Sequence, residues 1–344
     1  MVLVDAISHS FLDTAQRCEK KLEYRYVRGY SKRVVGVKPE RGTWIHELLA
    51  AYYQALQKGQ SQAQALQAAA ERHTQYKKEF WDQLFEEEQE ELGKDLPEQV
   101  LSIFNRYIDR YTEADKRWKK ILLVERYLRI PVSWLPVPLG IKCDLVTLDE
   151  HGFVWVIDHK VVSSIPEEEE RMLDTQGARY ILGLQELFKL KKIKVRGIGV
   201  IYDYIRDRVP AKPQLLKNGK GLSKAWIDTD YDTYMAAVKE HGFDPNDYQD
   251  ILTRISTESR PYFERWLMPK SDERLHQEKL NIQAIVERHL EPKDFYPRTL
   301  DRTRCRWDCE YKPLCLIELE GGDISHLLKT EYEVRKEGDD HAVA

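Results

Sequence analysis

Apolar and polar positions change their period twice along this chain. The first thirty residues follow a helical spacing, and Ser10-Phe11-Leu12-Asp13 has the form of a capping box with Asp where Glu is usual. Gly29, Gly36 and Pro39 predict a loop, after which Thr43 is placed to cap a helix carrying Trp44, Ile45, His46, Leu48 and Leu49. Residues 60–117 are made largely of helix formers, as in SQAQALQAAAERH, and the acidic run from Glu86 to Glu91 reads as a solvated helix face.

From residue 121 the pattern becomes that of strands. ILLVERYLRIPV is apolar and β-branched, and LGIKCDLVTLDEHGFVWVIDHKVV reads as two strands joined by a turn at Glu150-His151-Gly152. Glu167 to Glu170 lead into a helix over about 171–189, and VRGIGVIYDYI is a further strand. Pro210, Pro213, Gly219 and Gly221 mark a loop over 206–224, helices are predicted to about residue 291, and the polar stretch after Gly321-Gly322 is expected to fray. Helices, then β-β-β-α-β, then helices predict an α/β core with helical elaborations. The corresponding division is 1–118 (helical), 119–205 (α/β core), 206–291 (helical elaboration) and 292–344 (cysteine segment and tail).

Composition narrows the class. At 344 residues the chain is long enough for about two domains, or one α/β domain with insertions. Its 42% hydrophobic content excludes whole-chain disorder, and no apolar run approaches the roughly 18 residues of a membrane span. The first residues lack a basic region followed by an apolar stretch, so no secretory leader is expected. A net charge of −4 excludes a globally basic nucleic-acid coat, leaving local patches for any DNA contact.

Two acids stand out because they fall on apolar strands, where a charge is costly without a partner. Asp144 lies in Gly140-Ile141-Lys142-Cys143-Asp144; Asp158 and Lys160, two apart in Ile157-Asp158-His159-Lys160, share a strand face. If the two strands pair as a hairpin, both acids and the lysine converge. That set suits phosphodiester hydrolysis: carboxylates hold Mg²⁺ or Mn²⁺, the metal lowers the pKa of a bound water, and the lysine stabilises charge on the phosphorane. A structural Asp–Lys pair at a hairpin end is the plainer alternative for the tripeptide alone. Glu125 is a further strand acid, placed either behind such a site or at an exposed edge.

This arrangement resembles the PD-(D/E)XK nuclease superfamily. Two more motifs are similar to its RecB-like branch: Arg41-Gly42-Thr43-Trp44-Ile45-His46 on an early helix, and Gln176-Gly177-Ala178-Arg179-Tyr180 after the lysine strand. The resemblance implies a restriction-endonuclease-like mixed sheet flanked by helices. It implies His46, Asp144, Asp158 and the backbone carbonyl of His159 as ligands of Mg²⁺ or Mn²⁺. Asp144, Asp158 and Lys160 would then be catalytic, with Gln176 and Tyr180 positioning the lysine and the DNA.

Cys305, Cys309 and Cys315 stand in a C-x₃-C-x₅-C pattern, which points to a soft metal or a cluster. Zinc and a [4Fe–4S] cluster would each want a fourth ligand; Cys18 is the candidate, and Cys143 is expected to be packed in the core. Spacing does not separate the two cofactors. One distant N-terminal cysteine and three C-terminal ones around a RecB-like core look like the iron–sulfur nucleases, including CRISPR-associated exonucleases, although their usual first gap is one residue shorter. The resemblance thus implies a [4Fe–4S] cluster, with zinc as the lesser reading, and it covers about residues 8–50, 120–205 and 292–317.

Lys20, Lys21, Arg25 and Arg28 at one end and Arg298, Arg302, Arg304 and Arg306 at the other predict a basic, aromatic-lined patch for DNA, the alternative being ordinary surface charge. The expected function is a metal-dependent exonuclease acting on single-stranded DNA or free ends in replication, recombination or repair. Its expected place is the cytoplasm of a bacterium or a phage-infected host. The resemblance leaves open a homo-oligomer, or a recombination or CRISPR-adaptation partner. A catalytically silent DNA-end binding protein with a structural cluster is the alternative.

Overall fold

The chain's strand signals converge on one sheet. A computed structural model describes residues 3–33, 37–307 and 309–334, without the side chains of residues 37–39, 304 and 307. Its strands are β1 (Tyr30–Lys32), β2 (Trp118–Ile130), β3 (Leu139–Asp149), β4 (Phe153–Val162), β5 (Gly197–Arg206), β6 (Phe263–Leu267) and β7 (Tyr332–Val334). The central sheet runs β2-β3-β4-β5-β6, antiparallel except for the parallel β4–β5 pair.

The helices before the sheet are α1 (His9–Arg17), α2 (Glu19–Leu22), α3 (Val37–Gln57), α4 (Gln62–Glu79), α5 (Glu86–Leu92) and α6 (Leu96–Asp115). Between β4 and β5 come α7 (Glu168–Met172) and α8 (Gln176–Leu190), and between β5 and β6 come α9 (Tyr231–Glu240) and α10 (Gln249–Glu258). After β6 follow α11 (Asp272–His289), α12 (Arg302–Trp307), α13 (Lys312–Leu319) and α14 (Ser325–Thr330).

Strand alternation divides the core between the two faces of the sheet. Val154, Val156, Val200 and Tyr202 pack with α1, α8 and α11 through Phe11, Ile181 and Ile282. Ile157, Ile201 and Ile205 point the other way, onto α3 and α6 through Trp44, Leu48, Val100 and Phe104. Helices on both faces bury the parallel pair, as such pairs require. The segment between β5 and β6 has its own small core around Tyr234, Tyr248 and Leu252.

Several local expectations are corrected. The first helix stops at Cys18, whose extended backbone separates α1 from α2, and the cap of α1 is Ser8, not Ser10: Ser8 Oγ accepts the amide of Phe11 at 3.1 Å. α3 begins at Val37 and runs through Pro39 and Gly42, so Thr43 is interior; a proline in a first turn forfeits no intrahelical hydrogen bond. Gly36 lies outside the described residues. The single helix expected over 171–189 is two, broken at Leu173–Thr175, which puts Gln176 at a helix start. β6 was expected as helix; only five residues long, it takes its strand form from pairing with β5. The tail does not fray at Gly322: α14 follows, and β7 pairs with β1, burying Tyr332 against Tyr24 and Tyr311.

Candidate active site

The β3–β4 ladder ends at Leu145–Ile157, two residues before it would reach Cys143. Beyond that point the side chain of Asp144 replaces the backbone: its Oδ2 accepts the amide of His159 at 2.8 Å. The strands part there, and polar side chains from both sheet faces gather at the gap. A cavity of about 290 Å³ opens over it, lined by His46, Asp144, Asp158, Lys160 and Tyr180 and also by Ser8 and His9 of the first helix.

On the α8 side, four side chains close a ring. Lys160 Nζ lies 2.7 Å from Asp158 Oδ2 and donates to Gln176 Oε1; Gln176 Nε2 donates to Tyr180 Oη at 2.7 Å; Tyr180 donates to Asp158 Oδ1 at 2.8 Å. The Lys160–Asp158 contact is an ion pair without hydrogen-bond alignment, which leaves Oδ2 a buried acceptor. Asp174 caps the turn before α8, taking the amide of Gln176 at 2.7 Å, and stands 3.8 Å from Lys160. Burial opposes the lysine's charge, but Asp158 and Asp174 outweigh it and hold its pKa above the ordinary value.

On the α3 side, His46, Asp144 and His159 bring one donor atom each within 4.8 Å of one another, and they are the only such set of three or more among the described residues. His46 Nδ1 stands 3.8 Å from Asp144 Oδ2 and 3.3 Å from Glu125 Oε1. Burial acts to lower the His46 pKa, but Asp144 and Glu125 overcome it and push it up to about 9. Burial likewise pushes Asp144 up to about 7, against the pull of His46. Acids and imidazole in this state share protons that a divalent cation would displace. Asp158 lies outside this set, and the imidazole of His159 lies within it, whereas the sequence reading chose that residue's carbonyl.

Glu125 is in the site. It falls opposite Asp144, between the Val124–Leu145 and Arg126–Cys143 pairs, and has a left-handed φ of 45°. Such backbone costs about 1–3 kcal/mol and is held only where surrounding contacts dictate it; here Lys142 at 3.1 Å and His46 hold the carboxylate. The sequence reading passed over Lys142, which alternation places on the face of Asp144. It also passed over His9 and Arg179, which no local pattern marks. Buried Arg179 donates to Glu278 at 2.6 Å and to His9 Nδ1 at 2.6 Å. Burial, with Arg179 beside it, lowers the His9 pKa to about 4, leaving a neutral ring at the cavity wall.

With an acid within one strand, an acid–x–lysine on the next and helices behind, the chain matches a known family model over residues 6–316. The chain belongs to the PD-(D/E)XK nuclease superfamily. No curated protein matches it. Among solved structures, that of a candidate exonuclease from Eubacterium rectale is similar over 93% of this chain and 94% of its own, with 13% identity and a TM-score of 0.44. Nucleases of this superfamily act on DNA with divalent metals, and the nitrogen and oxygen donors of His46, Asp144 and His159 suit such an ion. Among the described residues, no helix is long and apolar enough to cross a membrane.

Far from this gap, Cys18, Cys305, Cys309 and Cys315 line a second cavity of about 200 Å³. No three of their sulfurs lie within 4.8 Å of one another; tetrahedral zinc, with bonds of about 2.3 Å, would need them about 3.8 Å apart. Cys143 is fully buried in the core. Much of the basic patch is half-buried and paired with acids. Lys20 is buried, 2.7 Å from Glu23 and 3.1 Å from Glu318, so it is a counter-ion and not an exposed DNA contact. Arg28 and Arg298 also meet Glu318, and Arg25 stands 3.9 Å from Glu310. Lys21 is half-buried beside the cysteines, Arg302 and Arg306 are exposed, and the side chain of Arg304 lies outside the described residues.

Proposed function

We propose that this nuclease is a divalent-metal-dependent DNA exonuclease of the RecB-like iron–sulfur type, working on single strands or free ends in bacterial or phage DNA processing. The carrying observation is the ring of Asp158, Lys160, Gln176 and Tyr180 set against the donors of His46, Asp144 and His159 across one strand. His46 and Asp144, with Asp158 alongside, would hold Mg²⁺ or Mn²⁺. When bound, that ion supplies Lewis acidity and a water of lowered pKa.

The chain's own residues then have separable tasks. Gln176 and Tyr180 fix Lys160 and Asp158 relative to each other, so the lysine's ammonium faces the cavity and neutralises charge that builds on the phosphate during attack. Arg179 holds His9 at the wall, and Ser8 and His9 bound the space that a DNA strand would enter. The four cysteines lining one cavity suit a [4Fe–4S] cluster in donor type and in number. The Cys18 thiol supports the same reading: burial raises its pKa, but amides from Thr299 and Lys21 outweigh that and hold it below the ordinary value.

End-labelled linear and closed circular DNA, single- and double-stranded, incubated with Mg²⁺, Mn²⁺ or EDTA, tests the proposal. Metal-dependent loss of linear substrate, absent in Asp158→Ala and absent on circles, is the expected result. Cleavage of closed circles would make the enzyme an endonuclease. No cleavage in any lane would favour a silent DNA-end binding protein. Iron and sulfide analysis of anaerobically purified protein decides between cluster and zinc.

A further inference from the structure

We infer that the imidazole of His159 is itself a metal ligand and that Asp203 is the residue that positions it. The inference rests on the metal-dependent reading above and deepens it by assigning a nitrogen donor where only a carbonyl was expected. Strand alternation turns His159 away from Asp158 and Lys160, onto the α3–α6 face, where its side chain is 2% exposed. Two tyrosines fix the ring there. Tyr53 stacks on it with centroids 6.0 Å apart at 21°, and Tyr107 meets it edge-on at 5.9 Å. In that pose Nδ1 faces the strand gap, 3.9 Å from Asp144 Oδ2, the same oxygen that lies 3.8 Å from His46 Nδ1. Two donors bonded to one ion at about 2.1 Å stand at most about 4.2 Å apart. Both separations fall inside that limit.

The other ring nitrogen carries the second line of evidence. His159 Nε2 is buried without a hydrogen-bond partner, and it points at Asp203 Oδ2 from 3.8 Å. Asp203 is completely buried and is held by Tyr107, which donates at 2.5 Å, and by Arg265 Nε at 3.0 Å; its Oδ1 is also unpartnered. Unmet polar atoms are rare in a core and call for a reason. An imidazole that ligates through Nδ1 carries its proton on Nε2, and a carboxylate behind that proton is the usual means of fixing ring and tautomer. Arg265 is in turn held by Asp115, so the support extends to the end of α6. The resulting set, two imidazoles and one carboxylate, favours Mn²⁺ over the oxygen-seeking Mg²⁺.

Pulsed EPR of the Mn²⁺-loaded full-length protein counts coordinated imidazole nitrogens directly. The inference expects two. His159→Gln should leave one and weaken Mn²⁺ binding by at least about tenfold, with a smaller change for Mg²⁺; Asp203→Asn should retain two while weakening Mn²⁺. If His159→Gln does not fold, the count on the wild-type protein decides. One coordinated nitrogen in a protein that cleaves DNA, lost in His46→Gln, overturns the assignment of His159 and leaves the nuclease reading standing. A protein that shows no Mn²⁺ binding and no cleavage overturns that reading and the inference with it.

Discussion

Tyr180 donates its phenolic hydrogen to Asp158 Oδ1 at 2.8 Å while its own oxygen accepts from Gln176, one helical turn back. The tyrosine thus ties the acid of the strand to the glutamine that grips Lys160. Tyr180→Phe removes one hydrogen bond to a buried carboxylate, worth about 1.5–3 kcal/mol. A fall of about ten- to a hundredfold in single-turnover cleavage is expected by the usual conversion of free energy to rate, with DNA affinity unchanged. A rate within twofold of wild type would show that Asp158 needs no such anchor.

The metal-free site should respond to pH in a defined direction. His46 is held at about 9, against an ordinary 6.5, and Asp144 at about 7, against 3.8. In both windows the folded state binds protons that the unfolded chain has released, so stability without metal falls as pH rises through them. A cation displaces the same protons and gains affinity over the same range. Thermal melts in EDTA should give a lower Tm at pH 8 than at pH 6, and the increase on adding Mn²⁺ should be larger at pH 8. An equal or larger increase at pH 6 would contradict the protonation states assigned to this pair.

Two glycines of the site helices should behave oppositely. A Cβ on Gly177 would run into Met268 Sδ and stand 2.8 Å from Tyr202 Oη, the group that accepts the Gly177 amide at 2.8 Å. Gly177→Ala should therefore cost about 1–3 kcal/mol through overpacking and displace Gln176. A Cβ on Gly42 meets only Val161 Cβ, at 3.7 Å, with ordinary helical backbone. Gly42→Ala should raise stability by about 0.5–1 kcal/mol. Denaturant unfolding measures both, and a destabilised Gly42→Ala would refute this packing account.

Glu318 joins the chain's two ends independently of any cluster. Its oxygens meet Lys20 at 3.1 Å, Arg28 at 2.5 Å and the hydroxyl of Tyr24 at 2.8 Å. Glu318→Ala leaves buried Lys20 to Glu23 alone and removes a charged partner from Arg28 and Tyr24, which should cost about 1.5–3 kcal/mol. Loss of Tm is expected in both cluster-loaded and apo protein, together with faster proteolysis after residue 300. An unchanged apo Tm would assign the junction to the cysteines alone.

The periodic parts of the chain were legible in advance. The alternation in VWVIDHKVV places Asp158 and Lys160 on one face, and both do turn towards α8. Helix breaks were less legible, because the stop at Cys18 and the gap at Leu173–Thr175 depend on tertiary contacts that local propensity does not contain. Lys20 shows the same limit for charge: a basic run looks like surface until Glu318, 298 residues away, is found beside it. β6 was missed because five residues carry too little pattern to outweigh flanking helices.

What the sequence determined by itself is the inventory and its strand faces: an acid on one apolar strand, an acid–x–lysine on the next, a histidine and a Gln–Tyr pair at helical spacing, and cysteines at both ends. Periodicity of 2 and 3.6 is a local property, so these survive without coordinates. Only the tertiary structure decided that the β3–β4 ladder opens beyond Leu145–Ile157, that Glu125 turns in beside His46, and that the ring of His159 lies between Asp144 and Asp203. Those relations join residues far apart in the chain, and they exist because a buried amide, carboxylate or imidazole must find a partner once water has been excluded.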